Sequence, residues 1–333
     1  MSGGGDKGPY QAAVFKGLIE NSPLEDVTYD VLVGVSAGAL NSLVFSPFKP
    51  EQVHEAAKLG RDLWNDIPNH DAYGQWPGGI VQGMLFEKGV LNIQPGIDWV
   101  TEKLGGLPLN RKVTFSSTNA DTGEYHPIDF NATGTQPKDF IMSAFASCII
   151  PFAFGQVVLD GHSLLDGGCK WKLDVLSTVR RCKEVVDDEA DIIVDLILTN
   201  NPTISVKEDV SEYTALEHFL RHIEMGNYYN TLDDYNSTIF LYPNVTFRYL
   251  ISPSESIKSG LIPLNYNQEQ IDRCFRVGEK DGKNAVKLGP GGYASVLFEM
   301  QERQRNGENP DFDEIIATRL KMMQNDRNTA TSE

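Results

Sequence analysis

Among 333 residues, the clearest candidate for chemistry is Ser36, in Gly34-Val35-Ser36-Ala37-Gly38. An apolar run, Tyr29-Asp30-Val31-Leu32-Val33, leads into it, and a helix-forming segment, Ala39 to Val44, leads out. A strand, G-x-S-x-G and a helix together predict a nucleophile elbow. There a tight turn exposes the serine hydroxyl beneath the first N–H groups of the following helix. A pentapeptide of this kind also occurs as a simple glycine-rich turn whose serine caps a helix.

A serine nucleophile needs a base and a site for the negative oxygen of a tetrahedral acyl intermediate. The candidate bases are Asp166, in Asp166-Gly167-Gly168, and the six histidines His54, His70, His126, His162, His218 and His222. A Ser–Asp–His order would combine Ser36, Asp166 and His218 or His222, but that arrangement places several strands before its elbow, and here there is room for one at most. His218 and His222 lie four apart on an expected helix and could form half a metal site, with no third ligand near them in sequence. For the oxyanion, the candidate is Gly3-Gly4-Gly5-Asp6-Lys7-Gly8, a loop whose N–H groups a ligand can approach closely. It fails as a phosphate-binding P-loop because Lys7 is followed by Gly8. It fails as a dinucleotide fingerprint because no strand precedes it.

The elements needed to hold these residues alternate along the chain. Strands are expected at 112–118, 124–130, 191–198 and 246–251, with a hairpin over 157–168 that ends in Asp-Gly-Gly. Helices are expected at 11–19, 50–64, 95–104, 137–147, 211–230, 267–288, 292–303 and 311–323, followed by a polar tail. The glycine-rich excursion over 65–92 is long enough to suggest a cover over a site. The near-continuous apolar run Asp191 to Leu198 suits a buried parallel strand. The reading is a single α/β fold with a mainly parallel sheet.

Composition limits the partners. Hydrophobic residues make up 41% and charged residues 23%, as in an ordinary globular enzyme. Against 46 acidic residues stand 29 basic ones, a net charge of −17 that repels nucleic acid and anionic membrane surfaces. Cys148, Cys169, Cys182 and Cys274 lack metal-site spacing and read as unpaired thiols. No run is long enough to span a membrane, and no signal-peptide pattern opens the chain. As written, this predicts a cytoplasmic or peripheral-membrane protein, and a secreted one if the N-terminus is incomplete. In that case the sequons at Asn131, Asn236 and Asn244 gain meaning.

Four blocks, in order and at matching separations, resemble the patatin-like phospholipases. They are Gly3 to Gly8, Gly34 to Gly38, Ala146-Ser147-Cys148-Ile149-Ile150-Pro151-Phe152-Ala153-Phe154, and Asp166-Gly167-Gly168. A weaker likeness runs through Asn265 to Ala285. The resemblance implies a three-layer α/β/α fold, with a catalytic domain over 1–290 and a helical extension and tail over 291–333. It implies a lipid acyl hydrolase with a Ser–Asp dyad and neither metal nor cofactor: Ser36 as nucleophile, Asp166 as base, and Gly3, Gly4, Gly5, Lys7 and Gly8 as the oxyanion loop. Gly34, Gly38, Gly167 and Gly168 would support the dyad. The implied partner is a lipid substrate at a membrane or lipid-droplet surface. Two departures stand out. Only Met1-Ser2 precede the glycine-rich loop, where the family has a central strand, so that strand is expected to be missing or truncated and the loop to be loosened. After Asp-Gly-Gly, Lys172-Leu173-Asp174 replaces a common Asn-x-Pro. The other reading is a lipid-binding or storage protein of the same fold with little turnover.

Overall fold

A computed structural model describes residues 1–201, 203–204, 209–257 and 263–330. Two parallel strand pairs form its centre. Strand β1 (Val31–Val35) pairs with β2 (Lys112–Asn119), and β6 (Ile193–Ile197) pairs with β7 (Thr246–Ile251). Antiparallel strands complete the first pair to a five-stranded sheet, with β3 (Tyr125–Phe130) against β2 and the hairpin of β4 (Val157–Leu159) and β5 (His162–Asp166) joined to β2 through β5, while β6 and β7 form a second, two-stranded sheet. β-Branched and aliphatic residues fill β1 and β6, which suits strands covered on both faces.

Helices follow the strands. The first is α1 (Gly8–Ile19), apolar around most of its circumference and almost wholly buried, as that composition requires. Next come α2 (Ala37–Phe45), α3 (Val53–Asp66), α4 (Gly79–Leu85), α5 (Gln94–Leu104), α6 (Phe140–Ala146) and α7 (Val175–Cys182). The C-terminal half holds α8 (Ala215–Leu241), α9 (Gln268–Leu288), α10 (Gly292–Arg305) and α11 (Phe312–Ala330). The buried residues of α9, among them Ile271, Cys274, Phe275, Val277 and Leu288, recur at helical spacing and face α1. The result is a mixed α/β fold with helices packed on a mainly parallel sheet.

Three details differ from the sequence expectation. The excursion over 65–92 contains the short helix α4, and α7 was not foreseen; Asp174 starts it by accepting from the Ser177 N–H at 2.9 Å. Helix α8 runs on to Leu241 and α11 to Ala330, so most of the expected polar tail is helical. Residues 292–316 also join the main core: Tyr293, Val296, Phe312 and Ile316 are buried in the same apolar cluster as α1 and β1.

The loosened loop is the fourth difference. Met1 and Ser2 lie between β1 and β6. The Met1 amine donates to Val33 O at 2.8 Å, Val35 N–H to Met1 O at 3.2 Å, and Ser2 N–H to Ile197 O at 3.0 Å. Thr199, just past β6, donates its hydroxyl to Gly3 O at 2.5 Å and its N–H to the Ser2 hydroxyl at 3.0 Å. On the far side, Asp6 N–H donates to Pro263 O, and the Asp6 carboxylate accepts from Asn265 N–H. The loop is tied on both flanks because three separate segments supply partners for its backbone.

Candidate active site

The register of β2 explains how Ser36 and Asp166 meet. One edge of β2 is taken by β3 from Val113 to Thr118. On the other edge β1 pairs as far as Val35 opposite Ser116, and β5 takes over with Asp166 opposite Ser117. Two strands therefore meet with their C-terminal ends abutting on consecutive positions of β2. The chain leaves the edge at Ser36 on one side and at Asp166-Gly167 on the other. Gly167 fits there because a Cβ would come within 2.2 Å of Ser116 O.

Ser36 adopts φ 52° and ψ −120°, a conformation costly for a residue with a side chain, on the order of 1–3 kcal/mol. Several contacts hold it there. Ser36 N–H donates to Ser147 Oγ at 2.9 Å, and Ser147 in turn donates to Ser116 O at 2.5 Å. The Cys148 thiol donates to Ser36 O at 3.2 Å. Gly38, in the first turn of α2, lies where a Cβ would be 2.3 Å from Met1 O, so a larger residue would push the glycine-rich loop off the elbow.

Asp166 is 6% exposed and Ser36 5%. The Asp166 carboxylate accepts Gly168 N–H at 2.7 Å, and its own N–H donates to Ile149 O at 2.8 Å. Burial pushes this carboxyl up to about 6, while the Ser36 hydroxyl, Gly168 N–H and the Lys172 ammonium pull the other way. The hydroxyl is close enough to exert that pull, although the pair lacks ordinary hydrogen-bond geometry. Catalytic pairs often tighten only once substrate is bound.

In the glycine-rich loop, the backbone donors are partly committed. Gly3 N–H donates to Lys172 O at 2.7 Å, Lys7 N–H to Gly4 O at 3.2 Å, and Gly8 N–H to Gly5 O. Of the expected oxyanion loop, the Lys7 and Gly8 N–H groups hold the loop's own turn and that of Gly3 ties it to the segment after Asp-Gly-Gly. Among the described residues, the amides of Gly4 and Gly5 keep no acceptor. Gly3 still matters by proximity, since a Cβ there would lie 3.2 Å from Ser36 Cβ.

No histidine is hydrogen-bonded to Ser36 or Asp166. His54, His218 and His222 are exposed, and His70 pairs with Asp66. The His126 and His162 rings meet at a tilt of 50° with centroids 4.9 Å apart, and His162 bonds Asn119. Among the described residues no cluster of three metal-ligating side chains occurs. Sequence reasoning missed the roles of Ser147, Cys148 and Thr199; the only signal was the run of small residues in the block Ala146 to Phe154.

The excursion over 65–92 lies against that same block. Val90 N–H donates to Phe152 O and Leu91 N–H to Ala153 O. A small apolar cluster of Ile149, Ala153, Phe154 and Leu264, with Tyr73, Leu91 and Tyr266 against it, sits beside Asp166. Helix α4 above it leaves Ile80, Val81, Met84, Leu85 and Phe86 between 58% and 80% exposed, and Phe152 is also exposed. No described helix is long and apolar enough to cross a membrane.

No curated protein matches the sequence. The crystal structure of VipD from Legionella pneumophila is similar at 11% identity, with 92% of this chain and 76% of that chain covered and a TM-score of 0.38. The family model for patatin-like phospholipases matches residues 1–178, which contain the elbow, the glycine-rich loop and Asp-Gly-Gly. The chain belongs to the patatin-like phospholipase family.

Proposed function

We propose that the chain hydrolyses carboxylic esters of lipids through an acyl-serine intermediate, with Ser36 as nucleophile and Asp166 as base. The observation that carries this is the end-to-end meeting of β1 and β5, which sets a strained serine beside a buried carboxylate whose pKa is raised to about 6. An aspartate in water is too weak a base for a serine hydroxyl, and burial raises its basicity while leaving it ionised at neutral pH. As Ser36 Oγ attacks the ester carbonyl, its proton passes to Asp166, and the negative charge moves to the carbonyl oxygen. The amides of Gly4 and Gly5 and the N-terminal end of α2 favour that charge. Collapse expels the alcohol, which takes the proton back. Water then attacks the acyl-serine, giving a proton to Asp166, and collapse releases the fatty acid as that proton passes to Ser36 Oγ.

The exposed apolar residues of α4, joined through the 149–154 block to the dyad, suit contact with the surface of a lipid aggregate. The net charge of −17 favours zwitterionic or neutral surfaces over anionic ones. The test is labelling by a fluorophosphonate probe together with release of fatty acid from phospholipid and glyceride panels. Ser36→Ala is expected to abolish both, and Asp166→Asn to abolish turnover. Full turnover by Asp166→Asn would overturn the dyad. Tight lipid binding by the unmodified protein with no turnover would instead support the storage reading.

A further inference from the structure

Helix α8 is longer than the strands it lies along. It spans 27 residues, about 40 Å, whereas β6 and β7 have 5 and 6 residues, about 20 Å. Its C-terminal half covers them. Tyr235 meets the ring of Phe247 early in β7, and Thr231 Oγ1 accepts from Asn200 Nδ2 at 2.8 Å, level with the end of β6. Residues 215–230 therefore run on for about 24 Å past that end. Thr199 bonds Gly3, and Gly3 lies against Ser36, so this is the end at which the dyad opens.

The core-facing stripe of α8 continues into the overhang. Thr231, Tyr235 and Thr238 are buried and recur at steps of four and three. Counting back at such steps reaches Ile223, Leu220 and Leu216, with Phe219 beside them, while Glu217, His218, Arg221, His222 and Glu224 take the other side. Past the end of the strands the stripe meets no core. No residue from Ala215 to Gly226 is buried, and Leu216, Phe219 and Ile223 are 60%, 58% and 42% exposed. Among the described residues, nothing covers the apolar face of this half-helix.

Area limits what can cover it. Three large side chains at about half exposure offer roughly 300 Å², well short of the ~800 Å² per partner of a stable protein interface. A lipid surface sets no such minimum for one element, because it takes up apolar side chains from several at once. Helix α4, carried on the excursion that bonds to Phe152 and Ala153, exposes a second apolar set near Asp166. We propose that the overhanging half of α8 inserts Leu216, Phe219 and Ile223 into a zwitterionic lipid surface, acting with α4 to hold the dyad's end of the fold against lipid. This rests on the lipid-hydrolase reading only in the choice of a lipid surface as the occupant.

The test uses the full chain carrying Ser36→Ala, so that lipid stays intact, sedimented with phosphatidylcholine vesicles. Replacing Leu216, Phe219 and Ile223 together by asparagine is expected to lower the partition coefficient by at least about tenfold. His218→Asn with His222→Asn, on the polar side, is expected to leave it unchanged. A melting curve checks that each variant is folded. Phe219→Trp gives a readout that removes no apolar contact: its added emission is expected to be quenched by lipid brominated on the acyl chains. Unchanged partition in the folded triple variant, or no quenching beyond that of the parent, overturns the proposal. Failure of the Ser36→Ala chain to bind the vesicles at all also overturns it. A chain that self-associates in lipid-free buffer, and that the triple variant makes monomeric, overturns it in favour of contact between two copies. The hydrolase reading is judged separately, by whether turnover of a soluble ester survives Ser36→Ala.

Discussion

Replacing Asp166 by asparagine separates what the site costs the fold from what it does chemically. The carboxyl goes from an ordinary 3.8 to about 6 on folding, chiefly through burial. A raised value means that the folded state is favoured while the group is protonated, below about pH 4. That advantage is given up as pH rises through about 6, where the buried carboxylate ionises. The difference corresponds to about 3 kcal/mol once ionisation is complete. Asparagine has the same shape and accepts Gly168 N–H without ever carrying charge. Asp166→Asn is therefore expected to match the parent in stability near pH 4 and to exceed it by up to about 3 kcal/mol near pH 8. Urea unfolding across that pH range measures the difference, and the same samples report ester turnover, expected to fall by at least about 100-fold in the variant. A variant no more stable than the parent at high pH would refute the reasoning, because the carboxylate would then not be desolvated and could not be a strengthened base.

The parent's own kcat/KM on an uncharged ester is expected to decline on the acid side with a midpoint near pH 6, since Asp166 must be ionised to accept a proton; a midpoint near pH 4 would contradict this. Gly38→Ala should drive a methyl into Met1 O, destabilise the fold by about 1–3 kcal/mol and depress turnover, read by thermal melting and ester release. Arg248→Met, which removes the cation paired with the buried Asp195 carboxylate and leaves it the Tyr29 hydroxyl at 2.6 Å, should destabilise by about 3–5 kcal/mol in urea unfolding while leaving the dyad's geometry in place. Leu85→Asp with Phe86→Asp should reduce turnover on zwitterionic vesicles far more than on a soluble short-chain ester, and equal losses would remove α4 from lipid contact.

Local signals made much of the site legible. Glycine, serine and a switch from strand-like to helix-like periodicity mark the elbow within ten residues, because a tight turn tolerates few side chains. The α1 and α9 boundaries lay close to expectation for a similar reason: Pro9 and the Asn267 cap are short-range features. The extents of α8 and α11 were underestimated, since polar helical sequence gives little contrast with a loop until its packing is known.

The sequence by itself determined the chemistry on offer: a serine on a turn, an aspartate before two glycines, and a glycine-rich loop at the start of the first helix. Tertiary structure decided which of these groups are free to act. The register of β2 brings Ser36 and Asp166 together from 130 residues apart, and no local pattern encodes a register between strands so distant in the chain. Hydrogen bonds to the carbonyls of Lys172, Pro263, Gly4 and Gly5 consume four of the loop's amides and leave those of Gly4 and Gly5. Lys172, a mere departure from a family pattern when read along the chain, lies beside the dyad once folded, where its charge acts on Asp166. The physical reason is common to all three: residue type fixes what a group can donate or accept, and only its neighbours in space fix whether that capacity has been used.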